Sequence, residues 1–451
     1  MKKPKTTVTV LFKKEMGNVT MRQVEVFEGN QLYDVPIQYS VHNPICAFIG
    51  TDANNANLTV PLDADLLSRH IMFLGGIGTG KTNAFNQVIG QIRRAMTPND
   101  IMIIFDTKGD FYNSFYRPGD VVISNDKTAT GPSGTDYWNI FNEIENDAQM
   151  EENIVEISKS LFRQKLEKSN QPFFPNAAKD LFAAILTHFT RNKNSLAGNN
   201  QALRTFLDSS PTAELREMLN KHNDMKAMVS YIADDRSPQT QGVMSELQQM
   251  SRELLLGNFK KKGNLSIRNL VRSKGGRCIF VEYDINVGAM LSPIYSLLFD
   301  LAIKEALGRK KSEGNVYIIA DEFRLIPNLQ HVDDAVNFGR SLGVKFMIGI
   351  QNVEQVYESY GEQRARSIMS GFLTSVAFRV NDASSKNYIK DLHGVNRKMD
   401  VYMSAVQTRG VSENIRDAYV VEDWDISNLG LGEAIIGLPG MPPFRFRFKR
   451  V

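Results

Sequence analysis

The sequence predicts an α/β fold with a mostly parallel sheet, an inserted all-helical domain and a small N-terminal β region. Apolar runs of strand length alternate with helical stretches, as in a parallel sheet covered on both faces; they are 71–74, 101–105, 278–281, 316–320, 346–350 and 376–380. Between about 146 and 256 this pattern gives way to apolar residues at helical spacing. Residues 1–64 alternate apolar and polar positions between turn residues, which indicates short strands.

The composition fits a globular protein and argues against several other classes. Of the 451 residues, 42% are hydrophobic, yet no apolar run approaches the roughly 20 residues of a membrane helix. Lys13 and Lys14 interrupt the N-terminal stretch, so no signal peptide is indicated and a cytoplasmic location is expected. Two cysteines and six scattered histidines offer neither a disulfide framework nor a metal-ligand spacing.

The strongest local signal is the segment GGIGTGKT at 75–82, between the first apolar run and a helical stretch. It fits the pattern G-x-x-x-x-G-K-[ST], in which backbone N–H groups and a helix N-terminus surround phosphates. Lys81 is expected to reach the β and γ phosphates, and Thr82 to bind Mg²⁺. The predicted nucleotide-binding residues of this segment are Gly75, Gly78, Thr79, Gly80, Lys81 and Thr82.

The segment predicts a RecA-like P-loop nucleoside triphosphatase core that uses ATP and Mg²⁺. Its two parts are predicted to be 65–145 and 257–451, separated by the helical domain 146–256 and preceded by the β region 1–64.

Polar residues at the ends of later apolar runs complete a phosphoryl-transfer site. Asp321 and Glu322 follow the run 316–320; Asp321 is predicted to hold the Mg²⁺ shell and Glu322 to polarise the attacking water. Gln351 ends the next run and is predicted to sense the γ phosphate.

Arg340 lies in the helical stretch between those two runs. One interpretation is an arginine finger that enters a neighbouring subunit's site and stabilises transition-state charge, which implies a ring, expected to be a homo-hexamer. The alternative is an ordinary arginine on a helix surface.

A basic run has two interpretations. No acidic residue occurs between Glu253 and Glu282, whereas several basic residues do, including Lys260, Lys261, Lys262, Arg268 and Arg272. They form either a solvated loop or a surface that follows the phosphates of DNA.

Taken in order, the motifs resemble those of the type IV coupling proteins of conjugation and type IV secretion (the TraD/TraG group), within the FtsK/HerA class of ring ATPases. The likeness covers most of residues 48–448. Its segments are 50–52, 68–70, 105–110, 137–141, 172–180, 321–343, 351–355, 360–361, 381–382 and 429–436. Phe174 departs from the family, because tryptophan is usual there, and the turn at 324–327 lacks the family's usual glycine.

The resemblance implies a motor that moves DNA, with or without attached protein, to a transfer channel, with a relaxase and channel subunits as partners. Coupling proteins usually carry an N-terminal membrane anchor, and this sequence shows none, so the chain is expected in the cytoplasm or peripherally at the inner face of the cell membrane, attached through a partner. Two alternatives stay open: a HerA-type DNA-processing or defence helicase, and an ATPase or adaptor that recruits protein substrates for secretion.

Overall fold

The computed structural model describes residues 10–15, 18–126, 128–145, 147–192, 198–308, 313–404 and 411–451. They form two compact units. The first contains the residues up to Gln91, together with Gly349–Glu358 and Phe372–Val451; the second contains Ile92–Ile348 and Ser359–Gly371. The segment 75–82 therefore belongs to the first unit, and the acidic pair 321–322 to the second.

Antiparallel pairing in the first unit joins strands that are distant in the sequence. One sheet has the order β1 (Val10–Glu15), β2 (Asn18–Glu28), β12 (Val395–Ser404), β13 (Val411–Tyr419). The remaining strands of this unit follow the order β4 (Asn57–Leu62), β3 (Cys46–Thr51), β15 (Phe444–Phe448), β14 (Glu433–Gly437), β11 (Thr374–Ala377), β5 (Ile71–Leu74). Of these neighbours, β11 and β5 are parallel and the others antiparallel.

The strands within residues 1–64 thus form no separate sheet. β2 pairs with β12, and β3 pairs with β15 as well as with β4. Alternation of apolar and polar residues identifies a strand but carries no information about which strand lies beside it.

Helices of the first unit border these strands. They are α1 (Ala64–Ser68), most of α2 (Lys81–Ala95), most of α12 (Val353–Tyr360), α14 (Ala383–His393) and α15 (Asp423–Ser427).

The second unit is built on parallel strands in the order β10 (Val344–Ile350), β9 (Val316–Ala320), β6 (Ile101–Asp106), β8 (Arg277–Glu282), β7 (Val121–Ile123). Neighbouring strands in this series are all parallel. Every residue of β6, β7, β9 and β10 is buried, as expected for strands covered on both faces. The predicted α/β class with a mostly parallel sheet is confirmed.

Five of the predicted apolar runs coincide with β5, β6, β8, β9 and β10. The sixth, 376–380, was placed too late, because β11 ends at Ala377. Phe378 and Val380 are nevertheless buried, since they pack in the loop after the strand. Because buried apolar residues continue into the loop, the apolar pattern alone predicted a strand end that lies too late in the sequence.

Helices of the second unit fall into two sets. Those of the core are α3 (Asp110–Phe115), α9 (Ile267–Ser273), α10 (Gly288–Leu307), α11 (Val332–Leu342) and α13 (Glu362–Ser370). Those of the region predicted to be all-helical are α4 (Met150–Lys168), α5 (Phe173–Arg191), α6 (Asn200–Ser209), α7 (Thr212–Asn220) and α8 (Pro238–Leu254). In the described ranges, no helix has both the length and the apolar character needed to cross a membrane.

A buried carboxylate lies where the chain enters and leaves this helical insert. Glu143, which ends a short 3₁₀ helix (Ile140–Glu143) before the insert, is 1% exposed. It accepts hydrogen bonds from Trp138 Nε1 at 2.8 Å, Ser266 Oγ at 2.9 Å, and the backbone N–H groups of Ile267 at 2.6 Å and Arg268 at 3.2 Å. Because Ser266, Ile267 and Arg268 follow the insert, Glu143 joins its two ends.

Asn200, at the start of α6, makes a second connection. Its side chain accepts from Ile140 N–H at 2.9 Å and donates to the carbonyls of Trp138 and Phe259, each at 2.9 Å. The insert is therefore attached to chain segments on both of its sides through buried polar groups, which are costly to break.

We expect Glu143→Ala to lower the free energy of unfolding by about 3 kcal/mol, because buried donors lose their acceptor. Glu143→Gln retains one accepting oxygen and should cost less. Urea unfolding followed by circular dichroism measures both, with Glu214→Ala, an exposed carboxylate on α7, as the control. A loss in Glu143→Ala no larger than in the control would contradict this role of Glu143.

Candidate nucleotide-binding site

The glycine-rich segment forms a tight loop between β5 and α2 in the first unit. Gly78 and Gly80 have φ values of 73° and 116°, a region that side-chain-bearing residues rarely adopt. A Cβ atom on Gly80 would lie 3.0 Å from the Cα atom of Gly432. Both conformation and space therefore require glycine at this position.

Lys81 turns back into the loop. This residue is 7% exposed, and its Nζ atom donates to the carbonyl oxygens of Gly75 at 2.5 Å and Gly76 at 3.1 Å. The Thr79 hydroxyl also donates to the Gly76 carbonyl, at 2.9 Å. Thr82 follows in the first turn of α2, where backbone N–H groups and the helix dipole favour an anion.

Gln351 lies next to this loop. The N–H of Gly75 donates to the carbonyl of Ile350 at 3.0 Å, and Gln351 is the residue that follows. The adjacent helix α12 is anchored by Val353 N–H, which donates to Ser385 Oγ at 3.0 Å. Gln351 thus belongs to the same unit as the loop. The hydrogen bonds of the residues on either side of it fix its backbone beside the loop.

Sequence reasoning missed the residues that support the loop from outside. Gly76 N–H donates to the Arg379 carbonyl at 2.9 Å, and Gly432 N–H donates to the Thr79 carbonyl at 2.9 Å. Phe378 approaches Gly75 so closely that a Cβ atom there would lie 2.6 Å from it. Every residue has a backbone carbonyl, so the contacts of the Arg379 and Thr79 carbonyls have no sequence signature. The contact of Phe378 could have been suspected, because this residue lies in the apolar run 376–380.

The acidic pair lies in the second unit, where β9 ends. Asp321 and Glu322 are both partly buried, and the Oδ1 atom of Asp321 is inaccessible to solvent. Glu322 Oε2 lies 3.8 Å from Arg324 Nε. Both acids therefore occupy the carboxyl end of a buried parallel strand, the edge at which ligands of such sheets bind.

Asp106 lies at the same edge on β6, the parallel neighbour of β9. Its carboxylate accepts from the backbone N–H groups of Gly109 at 2.9 Å and Tyr112 at 2.8 Å, which fixes the turn into α3. Burial raises the pKa of Asp106, and these hydrogen bonds oppose the shift.

The segment between Glu322 and α11 is held by α4 of the helical insert. Arg163 donates to the carbonyl of Asn328, and the Asn328 amide donates to Glu167 Oε2 at 2.9 Å. Glu156 lies 2.7 Å from His331 Nε2, and this hydrogen bond raises the pKa of His331. Three α4 side chains therefore contact the segment that links the acidic pair to α11.

Core helices hold the same segment from elsewhere in the unit. Asp300 on α10 accepts from the backbone N–H groups of Gln330 at 2.7 Å and His331 at 3.2 Å. Burial raises the pKa of Asp300 to about 7, although the His331 N–H opposes the shift. Arg364 on α13 donates to the Leu329 carbonyl at 2.6 Å.

Arg340 lies in the last turn of α11, and its side chain is exposed. Phe338, two residues earlier, is 64% exposed, which is unusual for a large aromatic side chain. Gly343, with φ 84°, ends the helix. Exposure is compatible with both interpretations of Arg340.

The basic run divides into two groups. Lys260, Lys261 and Lys262 are exposed, and Lys261 Nζ lies 4.7 Å from the ring centre of Tyr137. The run therefore presents three lysines to solvent.

The two arginines of the run are held by acidic residues. Arg268 is 6% exposed and pairs with Glu305 at 3.4 Å, and Arg272 pairs with Glu305 at 2.7 Å and also with Glu145. The stretch between Glu253 and Glu282 contains no acidic residue, yet both arginines have acidic partners, because these partners lie far away in the sequence.

Comparisons with known proteins identify the family of this chain. Residues 55–428 match the family model of the type IV secretion-system coupling protein DNA-binding domain. Coupling protein TraD of Escherichia coli (strain K12) is 22% identical over 374 residues, which is 79% of this chain and 47% of TraD. The chain therefore spans about half the length of this curated relative.

Solved structures of plasmid coupling protein TrwB share the fold. The complex with the non-hydrolysable ATP analogue ADPNP has a TM-score of 0.71 at 18% identity and covers 95% of each chain. The complex with ADP and Mg²⁺ has a TM-score of 0.67 at 19% identity and covers 87% of each chain. The family match extends over most of the sequence, and the chain belongs to the family of type IV secretion-system coupling protein DNA-binding domains.

Proposed function

We propose that this chain is an ATP-driven motor that moves DNA, with or without attached protein, toward a type IV secretion channel. The observation that carries the proposal is the loop 75–82 folded around Lys81, in a chain of the coupling-protein family. Structures of TrwB contain an ATP analogue or ADP and Mg²⁺. This similarity supports ATP and Mg²⁺ as the ligands of the present chain.

The residues present suit ATP hydrolysis. Lys81 and the N–H groups of the loop neutralise phosphate charge, and the Thr82 hydroxyl and Asp321 carboxylate are the oxygen ligands that Mg²⁺ prefers. The bound metal ion would offset charge on the phosphates. Glu322 orients and polarises the attacking water, and Gln351 hydrogen-bonds near the γ phosphate.

Coupling to movement is proposed to run through the segment 323–331. This segment joins Glu322 to α11, and α4 holds it through Arg163, Glu167 and Glu156. A movement of Glu322 during turnover would therefore be transmitted to both α11 and the helical insert, because both are attached to the segment 323–331.

The proposed DNA contacts are Lys260, Lys261 and Lys262. A motor must hold the backbone at any sequence, and exposed lysines bind phosphates without reading bases. Arg268 is left out because it is buried, and Arg272 because it is paired. We propose a homo-hexameric ring as the assembly, and a relaxase and channel subunits as partners.

Lys81→Ala and Thr82→Ala should each abolish ATP hydrolysis, because the first removes a phosphate ligand and the second a Mg²⁺ ligand. Glu322→Gln should keep nucleotide affinity but lower kcat by about a hundredfold or more, since water is no longer polarised. Phosphate release and fluorescent-nucleotide binding measure the two effects, with Glu362→Gln, an exposed carboxylate on α13, as the control. Wild-type turnover in Glu322→Gln would remove Glu322 from its role.

Arg340→Ala should bind ATP normally and hydrolyse it about a thousandfold more slowly if the arginine acts on a neighbour. Mixing this variant with Lys81→Ala should restore part of the activity, because one kind of mixed interface has both groups intact. Arg366→Ala, an exposed arginine on α13, is the matched control. Mixed rings that form but stay inactive would rule out a finger.

Changing Lys260, Lys261 and Lys262 together to glutamate should reduce DNA-stimulated hydrolysis and leave basal hydrolysis intact. The slope of log affinity against log salt should flatten by roughly 0.7 to 0.9 for each phosphate that the protein no longer neutralises. Lys221→Glu, another exposed lysine, is the control. An unchanged slope and unchanged stimulation would identify the run as a solvated loop.

A further inference from the structure

A basic cavity lies in the second unit, away from the acidic pair. Its volume is about 340 Å³, and its lining includes Arg93, Arg117, Asp120, Gly275 and Arg277. Asp120 directly precedes β7, and Arg277 begins β8, so the cavity lies at the amino ends of these parallel strands. Asp321 follows the carboxyl end of β9 in the same parallel series. The two features therefore lie at opposite edges of the strands.

The cavity has more positive than negative charge. Three arginines line it, against one carboxylate, Asp120. That carboxylate already accepts from Arg93 Nη2 at 2.6 and 2.7 Å, from Arg117 N–H at 2.8 Å and from Cys278 N–H at 2.7 Å. Asp120 thus neutralises Arg93, and the charges of Arg117 and Arg277 remain.

Two buried guanidinium N–H groups in the cavity lining lack an acceptor. The Nε atoms of Arg93 and Arg277 are inaccessible to solvent and make no hydrogen bond within the described part of the chain. The Arg93 side chain is only 4% exposed, so water cannot readily replace the missing partner. A buried donor without an acceptor costs free energy, and an oxyanion in the cavity would recover it once either arginine side chain shifts to expose its Nε–H.

The local backbone is shaped to admit the Arg277 guanidinium. Gly275 has φ 91°, and a Cβ atom there would lie 2.6 Å from Arg277 Nη2. Glycine therefore leaves room for the planar guanidinium beside the cavity. Arg117 is exposed at its rim; its Nη1 makes a long contact of 3.4 Å to the Arg93 carbonyl.

We propose that this cavity is a binding site for a phosphate group, held by Arg117 and Arg277 with Arg93 at its floor. Guanidinium groups bind phosphate oxygens with paired, charge-assisted hydrogen bonds, and a site open to solvent on one side admits a phosphate that is part of a larger molecule. The phosphate comes from a nucleic-acid backbone or from a free phosphate compound. The site is separate from the loop 75–82, and the proposal does not depend on the proposed motor function.

The first test is calorimetric titration with inorganic phosphate in a Lys81→Ala background, which weakens the other phosphate site. Lys81→Ala protein should still bind phosphate. Adding Arg117→Gln and Arg277→Gln should weaken that binding by about tenfold or more, because glutamine has neither the positive charge nor the paired donors of a guanidinium. Adding Arg366→Gln, a remote exposed arginine, should leave it unchanged.

The single variant Arg117→Gln separates a loss of phosphate binding from misfolding, since this exposed side chain contributes little to the stability of the fold. It should weaken phosphate binding by about threefold while the melting temperature stays at the wild-type value. Absence of phosphate binding in Lys81→Ala protein, or equal binding with and without the two cavity substitutions, would overturn the proposal.

Fluorescence anisotropy with a labelled single-stranded oligonucleotide, without ATP, identifies the source of the phosphate. If nucleic acid is the ligand, the cavity substitutions should weaken oligonucleotide binding and lower the salt slope by about 0.7, for the one phosphate that the cavity holds. Loss of inorganic phosphate binding with unchanged oligonucleotide binding would instead assign the site to a free phosphate compound.

Discussion

The buried carboxylate of Glu143 is the constraint on which the second unit depends. Strands β6 and β7 precede the helical insert and β8 follows it, yet β8 lies between them in the sheet. The chain must therefore return to the place it left after more than a hundred residues. Glu143 binds donors from both sides of the insert, and Asn200 adds a connection from within it. Buried polar groups suit this task because their geometry is specific, whereas apolar contacts tolerate sliding.

The helical insert also contacts the short segment that follows the acidic pair 321–322. Residues 323–331 separate the acidic pair from α11, and their backbone is held by side chains of α4, α10 and α13. Side chains of the surrounding helices make the contacts to the backbone of Asn328, Gln330 and Leu329. Side chains of the segment contribute as well, since Asn328 and His331 bond to α4 and Phe323, Ile326 and Leu329 are fully buried. The path of the segment is therefore determined by its surroundings and its own side chains together.

Structural features could be predicted from the sequence where chemistry or burial restricts the residue types that a position can have. The parallel strands were recognisable because burial on both faces makes them continuous apolar runs, and the loop 75–82 because its glycines and Lys81 have few substitutes. Partners distant in sequence were not predictable: the acidic neighbours of Arg268 and Arg272 are Glu145 and Glu305. The Arg379 carbonyl that supports the loop could not be found at all, since every residue has one.

The pairing of β2 with β12 and of β3 with β15 has a consequence for biosynthesis. These early strands leave the ribosome hundreds of residues before their partners, and until then their edges expose unpaired backbone groups. The second unit is nearly continuous along the chain, and its parallel strands are complete at Ile350, before β12 and β15 are made. The second unit is thus ready to fold before β2 and β3 have their partners.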